Sequence, residues 1–195
     1  MAEENLHAWK YAERDNLEGL KALVPSQVEP NSSSHSIEDH LHTLLMCAAA
    51  HGSVKCARFL ITECKANVNK RNFTGFSALH WAAFSGRIEC VKLLLDAGAL
   101  LESQTDDGRT PLHIAASRGH LQFLKFIVSC GADLHAVTSI GWTAVHYALI
   151  NNQKSVVKYL LDQKVEYDEY DVNMETIDSI VKEYNRTWFN ELISH

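Results

Sequence analysis

Four segments of this chain restate one another at a spacing of 33 or 34 residues, and that period constrains the fold more than any single motif. They read HTLLMCAAAHGSVKCARFLI from His42, FSALHWAAFSGRIECVKLLL from Phe76, RTPLHIAASRGHLQFLKFIV from Arg109 and WTAVHYALINNQKSVVKYLL from Trp142. Thr43, Ser77, Thr110 and Thr143 fall at separations of 34, 33 and 33. A glycine slot repeats with them as Gly52, Gly86 and Gly119, then Asn152. So do three small pairs, Ala48 with Ala49, Ala82 with Ala83, and Ala115 with Ala116. Repetition at this period implies units stacked so that each covers the apolar face of its neighbour.

Each unit contains two helical patterns. Leu112, Ala115 and Ala116 give a short first helix with a narrow face of small residues. Leu121, Leu124, Ile127 and Val128 give a second helix with a broad apolar stripe at the 3.6-residue period. The Ser or Thr opening each unit is a natural N-cap, and Pro111 follows Thr110 where a missing N–H costs nothing. Gly119 allows a turn with positive φ, and Asn152 tolerates the same conformation. Gly98 or Gly131 stops the second helix. A polar link then ends in Gly75, Gly108 or Gly141, which suits a projecting hairpin or turn.

The stretch DGRTPLHIAASRGHLQFLKFIVSCGADLHA resembles an ankyrin repeat, through its Thr-Pro-Leu-His tetrapeptide, Ala-Ala pair, Gly-His turn and Gly-Ala-Asp end. The resemblance implies an all-α solenoid of about six units forming one array over residues 1–195, right-handed and gently curved. Full repeats are expected at 38–71, 72–104, 105–137 and 138–170. An N-terminal capping unit is expected at 1–24, with Tyr11 and Ala12 in the Ala-Ala slot and Asp15 in the glycine slot. A degenerate C-terminal capping unit is expected at 171–195. There Ile177, Ile180, Val181 and Tyr184 share a face, Asn185 takes the glycine slot, and Trp188, Leu192 and Ile193 line a second helix. Residues 25–37 read as a loop, and the Pro- and Ser-rich link extends to Asp39. The corner at ECKANVNK carries one extra residue, with Lys65 in place of the helix-ending glycine, and is expected to be irregular.

The net charge of −6 and the absence of a Lys/Arg run argue against a nucleic-acid partner and against an anionic membrane surface. No apolar run approaches a membrane span. The opening MAEENLHAWKYAERD lacks a basic segment followed by an apolar one, so no secretory signal is expected. Cys47, Cys56, Cys64, Cys90 and Cys130 are odd in number and scattered, which reads as reduced thiols in a cytoplasmic or nuclear protein. The sequons at Asn31, Asn72 and Asn185 then carry no sugar.

No cofactor motif, Gly-x-Ser-x-Gly or phosphate-cradling loop is present, so no catalytic residue and no cofactor are assigned and the chain is expected not to be an enzyme. His80, His113 and His146 repeat in one slot, which suits a partly buried brace to the neighbouring loop better than a base. His35, Asp39, His40 and His42 could hold zinc, but they fall in a loop without the usual Cys or helical His pair, so no metal site is assigned. Asn69 stands where ankyrin-type repeats are sometimes hydroxylated; its structural reading is a bond within the loop between units. The acidic run over 165–175 reads as a solvated loop.

In proteins similar to this, partners dock on the concave side, made by hairpin tips and first-helix faces. The positions carried over are Phe73, Phe76, Asp106, Asp107, Arg109, Ile140 and Trp142 at the tips, with Phe84, Arg118 and Ile150 on the helices. Phe76, Arg109 and Trp142 are equivalent, so a ladder alternating rings and a cation is expected there, of the kind that supplies hot spots. Phe73 and Phe76 could instead pack the irregular corner, and Trp142 could cover a helix end. Trp81 and Tyr147 are expected in the core. The resemblance thus implies a protein-interaction module, adaptor or scaffold that is monomeric when free and binds a protein or peptide. A regulatory or targeting subunit of an enzyme complex, or a pathogen effector, would use the same face.

Overall fold

The computed structural model describes residues 2–24, 43–165 and 177–193. The link at 25–39, the histidines of 35–42 and most of the acidic run therefore lie outside the described residues. The chain divides into two compact bodies, Met1–Asp106 and Asp107–His195. Among the described residues the regular elements are twelve helices, as an all-α repeat architecture requires.

The first body holds α1 (Ala2–Glu13), α2 (Leu17–Leu23), α3 (Leu44–His51), α4 (Val54–Thr62), α5 (Ala78–Ser85) and α6 (Ile88–Asp96). First helices pack in a row, α1 on α3 and α3 on α5, while α2, α4 and α6 form a second row behind them. The small faces make this spacing possible: Ala8, Ala12, Ala48, Ala49, Ala82 and Ala83 are all buried. The broad stripes of the second row bury Leu20, Cys56, Leu60, Cys90 and Leu94. Each of these buried leucines contributes roughly 1.5–3 kcal/mol of transfer free energy.

The second body repeats the plan with α7 (Pro111–Arg118), α8 (Leu121–Ser129), α9 (Ala144–Ile150), α10 (Lys154–Asp162), α11 (Ile177–Glu183) and α12 (Trp188–Ile193). Leu124, Ile127, Val157 and Leu160 fill its core. In the closing unit Ile177, Ile180 and Val181 are buried as their spacing requires, but Tyr184 is exposed. Phe189, rather than Trp188, is the aromatic that α12 buries completely.

The turn chemistry follows the slots. Gly52, Gly86 and Gly119 take positive φ, and the non-glycine residues in that slot do so too: Asp15 at 51°, Asn152 at 59° and Asn185 at 52°. The extra residue at the ECKANVNK corner is absorbed locally. The N–H of Ala66 reaches back six residues to the carbonyl of Leu60, whereas Ala99, Ala132 and Val165 reach back five, to Leu94, Ile127 and Leu160. Lys65, just before Ala66, takes φ 53°, the left-handed conformation that Gly98, Gly131 and Lys164 take in the same place without an extra residue.

Neighbouring repeats are also tied by the residue that follows the glycine slot. Ser53 Oγ donates to the carbonyl of Glu13 at 3.1 Å, and Arg87 Nε to that of Ala50 at 3.4 Å. Gln153 Nε2 donates to Ser117 at 3.4 Å, and Arg186 to Leu149 and Ile150 at 2.9 and 2.8 Å. These carbonyls end the preceding first helix, where no intrahelical donor remains.

Candidate functional site

The projecting links are tight turns fixed by their own side chains. Asn72 Oδ1 accepts from the N–H groups of Thr74 and Phe76 at 3.1 and 2.8 Å and from the Thr74 hydroxyl at 2.9 Å. In the second body Thr138 takes this place, its Oγ1 accepting from Trp142 N–H at 3.2 Å. The Asp106 N–H donates to the Thr74 carbonyl, and the Ser139 N–H to that of Asp107, both at 3.1 Å. Gly75 and Gly108 have φ of 80° and 83°, and a Cβ there would sit 2.6 Å from Asp106 N and 2.8 Å from Ser139 N. Only glycine satisfies both the conformation and the approach.

The histidine slot completes the caps. The backbone N–H and the hydroxyl of Thr110 both point at His113 Nδ1, at 3.1 and 2.9 Å. Because Nδ1 accepts from an N–H, the proton sits on Nε2, which donates to the Trp142 carbonyl at 3.1 Å. Ser77 with His80 and Thr143 with His146 repeat the capping half of this arrangement. These imidazoles are fully buried, deeper than their partial burial in the sequence reading. Burial pushes the His113 pKa down to about 4, against the opposing bonds to Trp142 and Ala136 carbonyls. A neutral, fixed imidazole of this kind is a brace and not a proton donor.

The ten positions carried over fall as follows. In the first body Phe73 is 57 % exposed at the turn tip. Phe76 is half-buried against His80 and Trp81, with ring centroids 5.5 and 5.4 Å away, and Trp81 stands 5.6 Å from Phe84. Asp106 is exposed and paired with Arg71 at 2.7 Å. In the second body Asp107 and Arg109 pair at 2.7 Å, Arg118 is exposed, and Ile140 and Ile150 are half-buried. Trp142 lies flat on His146 at 6.0 Å and edge-on to Tyr147 at 5.5 Å. Trp81 and Tyr147 are thus half-exposed members of these aromatic rows and not core residues. The signal that could have found them is the slot itself, which Cys47 leaves half-exposed and Ile114 fills as buried.

The cysteine thiols are poor nucleophiles where the fold encloses them. Burial, reinforced by Asp15, pushes Cys56 up to about 12 and Cys90 up to about 11. Among the described residues no cluster of three His, Cys, Asp or Glu is placed to hold a metal ion. Asn69 bridges loops of successive repeats: its Nδ2 donates to the Gly98 carbonyl at 3.0 Å and its Oδ1 accepts from Leu100 N–H at 2.9 Å. No helix among the described residues is long and apolar enough to cross a membrane.

Among the described residues, a groove lies between second-row helices in each body. One, of about 540 Å³, separates α2 from α4 and is lined by Leu17, Lys21, Val54, Lys55, Arg58 and Phe59 among others. The other, of about 230 Å³, separates α10 from α12. Lys154 there already stands over the Trp188 ring at 5.1 Å.

The family model described as ankyrin repeats (3 copies) matches residues 8–105 and 97–172. Among curated proteins the chain is 43% identical over 63 residues to Protein fem-1 homolog A-like of Mus musculus, covering 32% of this chain and 10% of that protein. It is 48% identical over 44 residues to the probable E3 ubiquitin-protein ligase XBOS32 of Oryza sativa subsp. japonica, covering 22% of this chain and 9% of that one. It is 30% identical over 88 residues to the palmitoyltransferase AKR1 of Debaryomyces hansenii, covering 44% of this chain and 11% of that one. The chain spans about a tenth of the length of these relatives. Ankyrin repeats are generally protein–protein interaction modules and generally not themselves enzymes. With a match running from residue 8 to residue 172 over the caps and turns described above, the chain belongs to the ankyrin-repeat family.

Proposed function

We propose that this chain is a non-enzymatic interaction module, adaptor or scaffold, that is monomeric when free and binds a protein or peptide segment through its concave face. The contact residues are Phe73, Phe76, Phe84 and Asp106 in the first body and Asp107, Arg109, Arg118, Ile140, Trp142 and Ile150 in the second. The observation that carries this reading is the set of half-exposed rings on the turns and first helices, Phe76 with Trp81 and Trp142 with Tyr147. Rings already held against one another lose little rotamer freedom on binding, which favours affinity. Trp81 and Tyr147 extend the proposed contact set.

The test is the triple substitution Phe76→Ala, Arg109→Ala, Trp142→Ala. Circular dichroism and thermal unfolding should change little, while capture of the native partner is lost. Unchanged capture by the folded variant would remove these residues from the site.

A second reading makes the chain a regulatory or targeting component of an enzyme assembly. It draws on two relatives whose names denote a probable ubiquitin-protein ligase and a palmitoyltransferase. Purification from native cells that yields one stoichiometric enzyme supports it. A cytoplasmic or nuclear location accords with five free thiols; imaging of the tagged chain in a secretory compartment would refute it.

A further inference from the structure

The groove between α2 and α4 lies beside a departure from the repeat pattern. Ala22 occupies the slot that later second helices fill with Phe59, Leu93, Phe126 and Tyr159. Phe59 on the nine-residue α4 is half-buried, as Phe126 and Tyr159 are in the same slot, and beside it the seven-residue α2 carries only the exposed methyl group of Ala22. Leu17, Val54 and Phe59 form the apolar floor. Helical spacing places Lys21 one turn from Leu17, Arg58 one turn from Val54, and Lys55 one turn before Phe59. Cations therefore border the floor on both helices.

Charge sets what can enter. The chain carries a net −6, yet the groove lining holds three cations and one carboxylate, Glu63. Lys21 shares Glu18 at 3.5 Å, and among the described residues the side chains of Lys55 and Arg58 form no ion pair. We propose that this groove docks an acidic amphipathic segment of a protein partner. A bulky apolar side chain covers Leu17, Val54 and Phe59 while flanking carboxylates meet Lys55, Arg58 and Lys21. An apolar floor between two helices accepts side chains at helical spacing, whereas a lone phosphate would leave that floor uncovered. The site is independent of the aromatic rows on the turns and first helices.

The probe is a synthetic helical peptide of about four turns with Leu and Phe on one face and Glu on the other. It is titrated into the full ¹⁵N-labelled chain. Saturable shifts at α2 and α4 amides are expected, with binding weakened by salt. Lys55→Glu with Arg58→Glu, both exposed positions, should weaken binding at least about tenfold. Ala22→Phe, which installs the side chain found at this slot in α4 and α8, should fill the groove and abolish binding while the fold persists. Phe76→Ala with Trp142→Ala should leave it unchanged, separating this site from the one proposed above. Absence of saturable binding, equal binding of the Lys-for-Glu peptide, or shifts outside α2 and α4 would overturn the proposal. So would phosphatidylserine vesicles or inorganic phosphate binding as tightly with the same variant losses, which would make it an anion site.

Discussion

Acid should loosen the second body through His113. The imidazole is held neutral, with Nδ1 accepting from Thr110 and Nε2 donating to Trp142. Protonating Nδ1 removes an acceptor from two donors and buries a charge that Asp107 favours but Arg109 and desolvation oppose. In the unfolded chain this histidine titrates near 6.5, and in the fold at about 4. Below pH 6.5 the unfolded state therefore binds a proton that the native state refuses. The stabilisation is complete above pH 6.5, falls as pH drops, and is exhausted once the native state protonates near 4. A separation of this size corresponds to about 3 kcal/mol at most, and to about 2 kcal/mol at pH 5. Urea unfolding monitored by circular dichroism, run at pH 7 and pH 5 on wild type and His113→Gln, isolates this group from others that titrate. The variant should be the less stable protein at pH 7 but lose about 2 kcal/mol less on acidification. An NMR titration of the His113 ring with a midpoint near 6.5 in the folded protein, or equal acid sensitivity of both proteins, would refute the reasoning.

Three further outcomes follow from backbone and thiol geometry. Gly108→Ala should destabilise more than Gly131→Ala by at least about 1 kcal/mol in chemical unfolding, since both have positive φ but only Gly108 has a backbone nitrogen 2.8 Å from the new methyl. Lys164→Gly should stabilise by about 0.5–1 kcal/mol, raising the thermal midpoint, because Lys164 holds φ 57° with a Cβ. Under native conditions at pH 8, the exposed Cys130 should react with a disulfide reagent first, and Cys56 and Cys90 only on unfolding, as peptide mapping of the labelled protein would show.

The repeat plan was legible because it rests on local chemistry. A Ser or Thr cap, a small pair and a left-handed turn each constrain a few adjacent residues, so Asp15 and Asn185 could be assigned their turns without a glycine. The extra residue at Lys65 was legible for the same reason. What escaped depends on the neighbouring repeat. Trp81, Tyr147 and Ile114 share a slot, yet only the isoleucine is fully buried. In α12 the rotation of a six-residue helix decided between Trp188 and Phe189, and so short a segment has too little periodicity to fix its phase. Ala22 in a slot that other second helices fill with large residues is legible in the sequence, but the groove itself depends on how α2 packs against α4.

The bonds from Ser53, Arg87, Gln153 and Arg186 to the preceding helix give each body a polarity. The last carbonyls of a first helix take a donor from the next repeat, although that of Leu149 also accepts from the Asn152 N–H of its own repeat at 3.0 Å. Three side-chain types, serine, arginine and glutamine, make this bond from the same slot. Loss of a unit from the carboxyl side strips the one before it of its terminal donors, while loss from the amino side leaves the next helix end intact. Unravelling is thus directional: in the second body, melting of the closing unit releases Arg186 and exposes the end of α9, so failure there propagates backward along the chain.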